Sequence, residues 1–268
     1  MNLGTNIAAQ SASVALTQTS AALARSLSQL SSGSRIINAS ELAMSMRFDA
    51  KLERAHAAKD NVSSGLSYAS TQDGYLKQIA RTLDRMSELS MLALDGTKTD
   101  ADRGLYNYEF IQLQDLIKGI ATKEFNGVSL FSALDVESVI DSEGTTFTMD
   151  GIDLGASSTT YNNVTTSGTS VSSTTAATTA LGHIKNAILE LSKDRTEVGA
   201  NLSRFNLASE TLDATIQAFS AATSSIKDLD VAKESTEYSK QNILLQATTA
   251  MLVQANQLPQ TVLRLLPS

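Results

Sequence analysis

Cysteine and tryptophan are absent from this chain, proline occurs twice, and aromatic side chains make up 5% of its 268 residues. Without cysteine there is no disulfide, no thiolate nucleophile and no Cys-ligated zinc, and the redox compartment leaves no mark. Stability has to come from packing or from assembly. Basic clusters are also missing: 21 Lys and Arg stand against 28 Asp and Glu, for a net charge of −7. That leaves no positive patch to neutralise phosphates, so nucleic acid is not an expected partner. No apolar run approaches the roughly 20 residues of a bilayer-spanning helix, and no membrane partner is expected either. No Lys or Arg precedes Arg25 and no apolar stretch with a cleavage site follows, so a removable signal peptide is not indicated.

Catalytic chemistry leaves equally little trace. His56 and His183 have no Glu or Asp neighbours at metal-ligand spacing, and no His-Glu-x-x-His pattern occurs. There is no glycine-rich phosphate loop and no nucleophile elbow. No catalytic residue, metal or cofactor is expected, and the chain does not read as an enzyme.

What the sequence does contain is helical periodicity. Ala, Ser, Thr, Leu and Gln dominate, a composition suited to long thin helices. From about Ser40 to Leu94 apolar residues alternate in steps of four and three: Phe48, Leu52, Ala55, Val62, Leu66, Ala69, Leu76, Ala80 and Leu83, with Lys59 and Asp73 filling polar gaps. A 3.5-residue repeat marks a coiled-coil seam, and such a helix would be roughly 80 Å long. A shorter helix is expected from Asp100 to Thr122. In the second half the alternation runs unbroken from Ile184 to Ile226, with Arg195, Ser209 and Thr223 as polar exceptions that could fix helix register.

Between the halves the pattern changes. Thr145–Met149 alternates, Asp150-Gly151 is a turn signal and Ile152–Leu154 could return, which predicts one small β-hairpin. Fifteen of the 23 residues from 157 to 179 are Ser or Thr, which reads as an exposed loop. The expected fold is mainly α, an elongated rod of long antiparallel coiled-coil-like helices with one β-hairpin region and paired terminal helices. Its segments are 1–39, an assembly helix and connector; 40–134, rod helices; 135–180, hairpin and variable loop; 181–229, the second-half rod helix; and 230–268, the C-terminal assembly helix.

The two ends are distinctive for their lack of charge. Arg25 is the only charged side chain in the first 34 positions and Arg264 the only one from Gln241 onward. Exposed helical faces are ordinarily filled with Lys and Glu. Amphipathic helices lacking them call for burial, and slender rods offer little to bury them in, so the ends are expected to be covered by other subunits. The residues expected at that polymerisation interface are Leu3, Ile7, Val14, Leu23 and Leu27 at one end, and Leu244, Met251, Leu258, Val262 and Leu265 at the other.

Three segments resemble bacterial flagellin: Leu30-Ser31-Ser32-Gly33-Ser34-Arg35-Ile36 followed by Asn38; Phe125-Asn126-Gly127; and the run from Ala255 to Leu266. Together they bracket nearly the whole chain, leaving about 135–180 without a counterpart. The resemblance implies a filament subunit for swimming motility, secreted through the flagellar export channel to an extracellular filament. It also implies as partners further copies of the chain, a flagellar export chaperone, a filament cap and hook-junction proteins. A junction or hook-associated adaptor of the same superfamily is the second reading. Two departures stand out: Ile37 is inserted after the Arg-Ile pattern, and Glu41-Leu42-Ala43-Met44 follows it. In many flagellins one segment is bound by a toll-like receptor. Arg85, Glu88, Leu89 and Glu109 match that pattern as innate-receptor contacts, whereas Asp84, Ser87 and Leu92 do not.

Overall fold

A computed structural model describes residues 6–35, 38–155 and 158–264, the last seven in backbone only. The fold is mainly α. Its helices are α1 (Ile7–Ser32), α2 (Ala39–Leu94), α3 (Asp100–Ala121), α4 (Thr159–Thr165), α5 (Thr174–Lys227) and α6 (Val231–Arg264). Four short strands, β1 (Glu124–Phe125), β2 (Val128–Ser129), β3 (Val136–Val139) and β4 (Thr146–Met149), form two antiparallel pairs, β1 with β2 and β3 with β4. The chain packs as two compact units, one of residues 51–217 and one made from both ends, residues 1–50 with 218–268. Helices α2 and α5 contribute residues to both.

The 51–217 unit holds a conventional core built on two heptad columns. On α5, Ala177, Ile184, Leu191, Val198, Phe205 and Leu212 are spaced by seven and all are buried; on α2, so are Ala55, Val62, Ala69, Leu76 and Leu83. The helices run antiparallel. Lys59 pairs with Asp213 near one end, and further along Asp73 accepts from Arg195 at 3.3 Å. The polar gap in one seam thus meets the polar exception in the other. Burial alone would raise the Asp73 carboxyl, but hydrogen bonds from Lys77 and Arg195 hold it below its ordinary value. Midway, the backbones approach closely: a Cβ built on Gly65 would lie 2.7 Å from Phe205 Cζ, so glycine makes room for the ring. Phe147 of β4 meets the same ring edge-on, with centroids 5.3 Å apart.

The second column on α2 differs from the sequence expectation. Leu52, Lys59, Leu66, Asp73 and Ala80 are only half-buried, whereas Ala58, Gln72, Ile79, Met86 and Ala93, each on the same seven-residue spacing, are buried. A two-helix seam would bury the former. Here further elements cover the flank of α2: the Tyr68 hydroxyl donates to the Ser129 carbonyl at 2.8 Å and the Gln72 amide donates to the Leu130 carbonyl at 2.8 Å.

The β region is also arranged differently. There are two hairpins rather than one, and Asp150-Gly151 is not the turn of either. Asn126-Gly127, both at positive φ, turns β1 into β2. Strand β4 pairs backward with β3, and Ile152–Leu154 is not a strand. Gly151 instead packs on the backbone of residues 132–134, and its N–H donates to Asp135 Oδ1 at 3.0 Å.

Nor is the Ser/Thr-rich segment an exposed loop. Ser158 caps α4, and Tyr161, Val164 and Val171 are buried. From α3, the buried Gln114 amide donates to the carbonyls of Val164 at 2.7 Å and Thr169 at 3.0 Å, while Asn107 accepts from the Val171 N–H at 3.0 Å. Three apolar anchors and a few polar clasps dock a segment whose composition suggests no core, and α5 begins at Thr174.

Phe205 is fully buried between Gly65 and Phe147. Phe205→Ala should destabilise the chain by about 3–5 kcal/mol, read as a lowered melting midpoint, because a cavity replaces a packed ring. Leu207→Ala, at an exposed position two residues on, should leave the melt within about 0.5 kcal/mol of wild type.

Candidate assembly surface

The end-derived unit is built on different principles from the core just described. Helices α1 and α6 lie antiparallel: the Asn6 side chain, which also caps α1, donates to the Ala255 carbonyl at 2.6 Å. At the other end Ser34 bridges Asp228, and Arg35 donates its N–H to the Lys227 carbonyl and its guanidinium to the Ser225 carbonyl, both at 2.8 Å. Nearby, Lys227 pairs with Asp49 at 2.6 Å and Phe48 stacks tilted on Phe219. The polar contacts therefore concentrate where helices begin and end.

Between those ends the fully buried side chains are all small, while Leu16, Leu23 and Leu30 of α1 and Leu245 and Leu252 of α6 are half-buried. Among the described residues of this unit, the buried ones are Ala12, Ser26, Ser45, Thr248 and Ala255. Not one large apolar side chain is fully covered. The large ones face outward: Ile7 is 75% exposed, Val14 54% and Met251 56%, and Leu27, Ile243, Leu244 and Val253 are exposed as well. Leu42, Met44 and Met46 on the first turns of α2 add to them. These helices carry apolar residues on more than one face, and small residues take the fully buried positions.

The residues expected at the interface divide accordingly. Ile7, Val14, Leu27, Leu244 and Met251 are exposed, while Leu23 is half-buried within the chain. Leu258 and Val262 fall in α6, but their side chains lie outside the described residues, as do Leu3 and Leu265 altogether. Thr248 and Ala255, which share the apolar stripe of α6 in the sequence, belong to the inner face.

The receptor-matching residues also divide. Arg85 reaches Glu109 with two hydrogen bonds of 2.7 and 3.0 Å and Glu88 with one of 2.7 Å, a surface cluster joining α2 to α3. The hydrogen bond from Arg85 holds the Glu109 carboxyl below its ordinary value. Leu89 is 1% exposed and belongs to the core, because its position on α2 faces inward beside Met86 and Ala93. It is not a surface contact.

Reactive chemistry is not assembled anywhere in the described residues: no three His, Cys, Asp or Glu side chains group as they would around a metal ion, and His56 is exposed. One buried ionisable pair does occur, and sequence reasoning missed it. The Tyr161 hydroxyl donates to Asp194 Oδ2 at 2.6 Å, with the aspartate 7% exposed. The pair is closed on itself and clasps α4 to α5. Its only signal in the sequence is an Asp on the inward spacing of Ala180 and Ala187.

Large apolar side chains left exposed on two long helices are the mark of a protein that associates with further chains. Comparison with known proteins agrees. The bacterial flagellin N-terminal helical region matches residues 3–135 and the bacterial flagellin C-terminal helical region matches residues 181–266. The chain is 31% identical over 289 positions to the flagellar filament core protein flaB2 of Brachyspira hyodysenteriae, covering 99% of this chain and 100% of that one. It is likewise 31% identical over 303 positions to the flagellin of Bacillus subtilis, with coverage of 99% and 100%. The crystal structure of Bacillus cereus flagellin superposes with a TM-score of 0.51 at 28% identity, over 57% of this chain and 88% of that one. The chain belongs to the bacterial flagellin family and is a structural subunit of a flagellar filament, an extracellular polymer of like subunits.

Burial raises the Asp194 carboxyl above its ordinary value, against the pull of the Tyr161 hydrogen bond and with Glu190 and Glu197 adding repulsion. The folded chain therefore binds this proton more tightly than the unfolded chain. The stabilisation is fully present in acid and is lost as pH rises through the folded value. Denaturant melts of wild type and Asp194→Asn should diverge, with wild type losing stability relative to the variant as pH rises above the ordinary aspartate value of about 4. Parallel curves would mean that Asp194 titrates like an exposed carboxylate.

Proposed function

We propose that the outward faces of α1 and α6 are the polymerisation interface, with Ile7, Val14, Leu27, Leu244 and Met251 covered by neighbouring copies of the chain. By their place in the sequence pattern alone, Leu3, Leu23, Leu258, Val262 and Leu265 are assigned to the same interface. The observation that carries this reading is that the described part of the end-derived unit fully buries only small side chains and leaves Ile7, Val14, Leu27, Leu244 and Met251 exposed. Apolar surface on α1 and on the charge-poor stretch of α6 from Gln241 onward is stabilised by association. The finer setting follows the family: export through the flagellar channel, escort by an export chaperone, addition beneath a filament cap and continuity with hook-junction proteins. The innate-receptor surface narrows to Arg85, Glu88 and Glu109, since the fourth expected contact is in the core.

Val14→Asp and Leu244→Asp test the interface separately from the 51–217 core, because both positions are exposed in the single chain and lie outside that unit. Each should abolish filament formation on electron micrographs while leaving the melting of the 51–217 core unchanged, since a buried interface accepts an unpaired carboxylate only at high cost. Normal filaments from both variants would move the interface elsewhere.

A further inference from the structure

Seven methionines occur in the chain, and the fold sorts them sharply. Met86 and Met149 are buried in the 51–217 core; Met44, Met46, Met91 and Met251 are exposed. Of these, Met251 has a distinctive setting. It borders a hollow of about 430 Å³ between α1 and α6, walled by Ala8, Ser11, Ala12 and Ala15 on one side and Gln254 and Ala255 on the other. Small side chains leave the thioether standing above a shallow apolar floor. Within the described residues, no charged side chain lines that hollow.

We propose that Met251 is an oxidative modification site that controls assembly: a peroxide converts it to the sulfoxide in the free subunit, the sulfoxide blocks polymerisation, and burial in the filament protects it. This rests on the assembly reading above. The Met251 sulfur lone pair attacks one peroxide oxygen, the O–O bond breaks, and water leaves. The sulfur is oxidised by two electrons and the peroxide reduced by two. A flexible apolar side chain becomes a polar one with a strong acceptor oxygen, at a position where association has to remove it from water. Of the two polar side chains lining the hollow, Ser11 already donates its hydroxyl to the Ala8 carbonyl at 3.0 Å, so a buried sulfoxide oxygen that the Gln254 amide does not reach opposes association. The methionines of the core have no comparable access, so the same dose leaves the fold intact.

The test treats purified full-length chain with dilute hydrogen peroxide, either as monomer or as preformed filaments, and maps sulfoxide by peptide mass spectrometry. In the monomer Met251 should oxidise while Met86 and Met149 do not, and filament yield should fall by about tenfold or more. In filaments Met251 should be protected. Met251→Leu should assemble with or without peroxide, whereas Met44→Leu/Met46→Leu/Met91→Leu, which keeps Met251, should remain as sensitive as wild type. The proposal is overturned if oxidised wild type assembles like untreated protein, if Met251→Leu loses assembly as wild type does, or if Met251 oxidises equally fast in filaments. Untreated wild type that never polymerises, even on filament fragments, would overturn the assembly reading first and this proposal with it.

Discussion

The constraint on which this protein depends is the removal of large apolar side chains from water, and its two units meet that constraint in opposite ways. In the 51–217 unit the heptad columns of α2 and α5, with the hairpins and α4 packed around them, cover their own aromatic and aliphatic groups. In the end-derived unit the fully buried side chains among the described residues are Ala, Ser and Thr, while leucines such as Leu16, Leu23 and Leu252 are half-buried and other large groups remain exposed. Small inner residues let α1 and α6 lie close together, and they also leave that unit with little hydrophobic stabilisation of its own. Assembly supplies what the fold omits. A subunit that leaves such groups exposed is driven to associate once many copies meet.

Polar groups serve alignment more than stability. An exposed ion pair contributes little, yet Asp73 with Arg195 and Lys59 with Asp213 fall where the apolar seams are interrupted, so a shifted register would leave these charges facing apolar neighbours. The Gln114 and Asn107 contacts do similar work for the Ser/Thr-rich segment, supplying the backbone of residues 164–171 with partners that no sheet or helix provides. Thr223, another interruption of the seam, buries its hydroxyl oxygen without a hydrogen-bond partner and has no such role in view.

Much of this was legible in the sequence because helical spacing is a strong signal over 50 residues. The end of α1 at Gly33, the ends of α2 and the start of α3 at its Thr99–Asp102 capping box fall within a residue or two of where periodicity and turn residues put them. The charge-poor termini were legible for the same reason, as an absence sustained over two long runs. What was not legible depended on partners distant in sequence. The second buried column of α2 exists because other elements cover that flank, which the α2 sequence alone cannot register. The β3–β4 pairing was missed because the turn signal at Asp150-Gly151 is used for close packing on residues 132–134 instead. Tyr161, Val164 and Val171 were masked by fifteen hydroxyl residues around them, although three well-placed anchors suffice to dock a short segment. Leu89 matches a surface pattern by type and sits in the core by helical phase.

The central claim is that the apolar faces left uncovered on α1 and α6 are the surfaces that hold one subunit to the next. Helical reconstruction of filaments grown from this chain, by electron cryomicroscopy at side-chain resolution, tests it most directly. The account predicts that Ile7, Val14, Leu27, Leu244 and Met251 lose their solvent exposure to side chains of neighbouring copies, while Ala12 and Ala255 keep the intrachain contact described here. Filaments in which those five side chains still face water, with the subunits joined through the 51–217 unit alone, would contradict it.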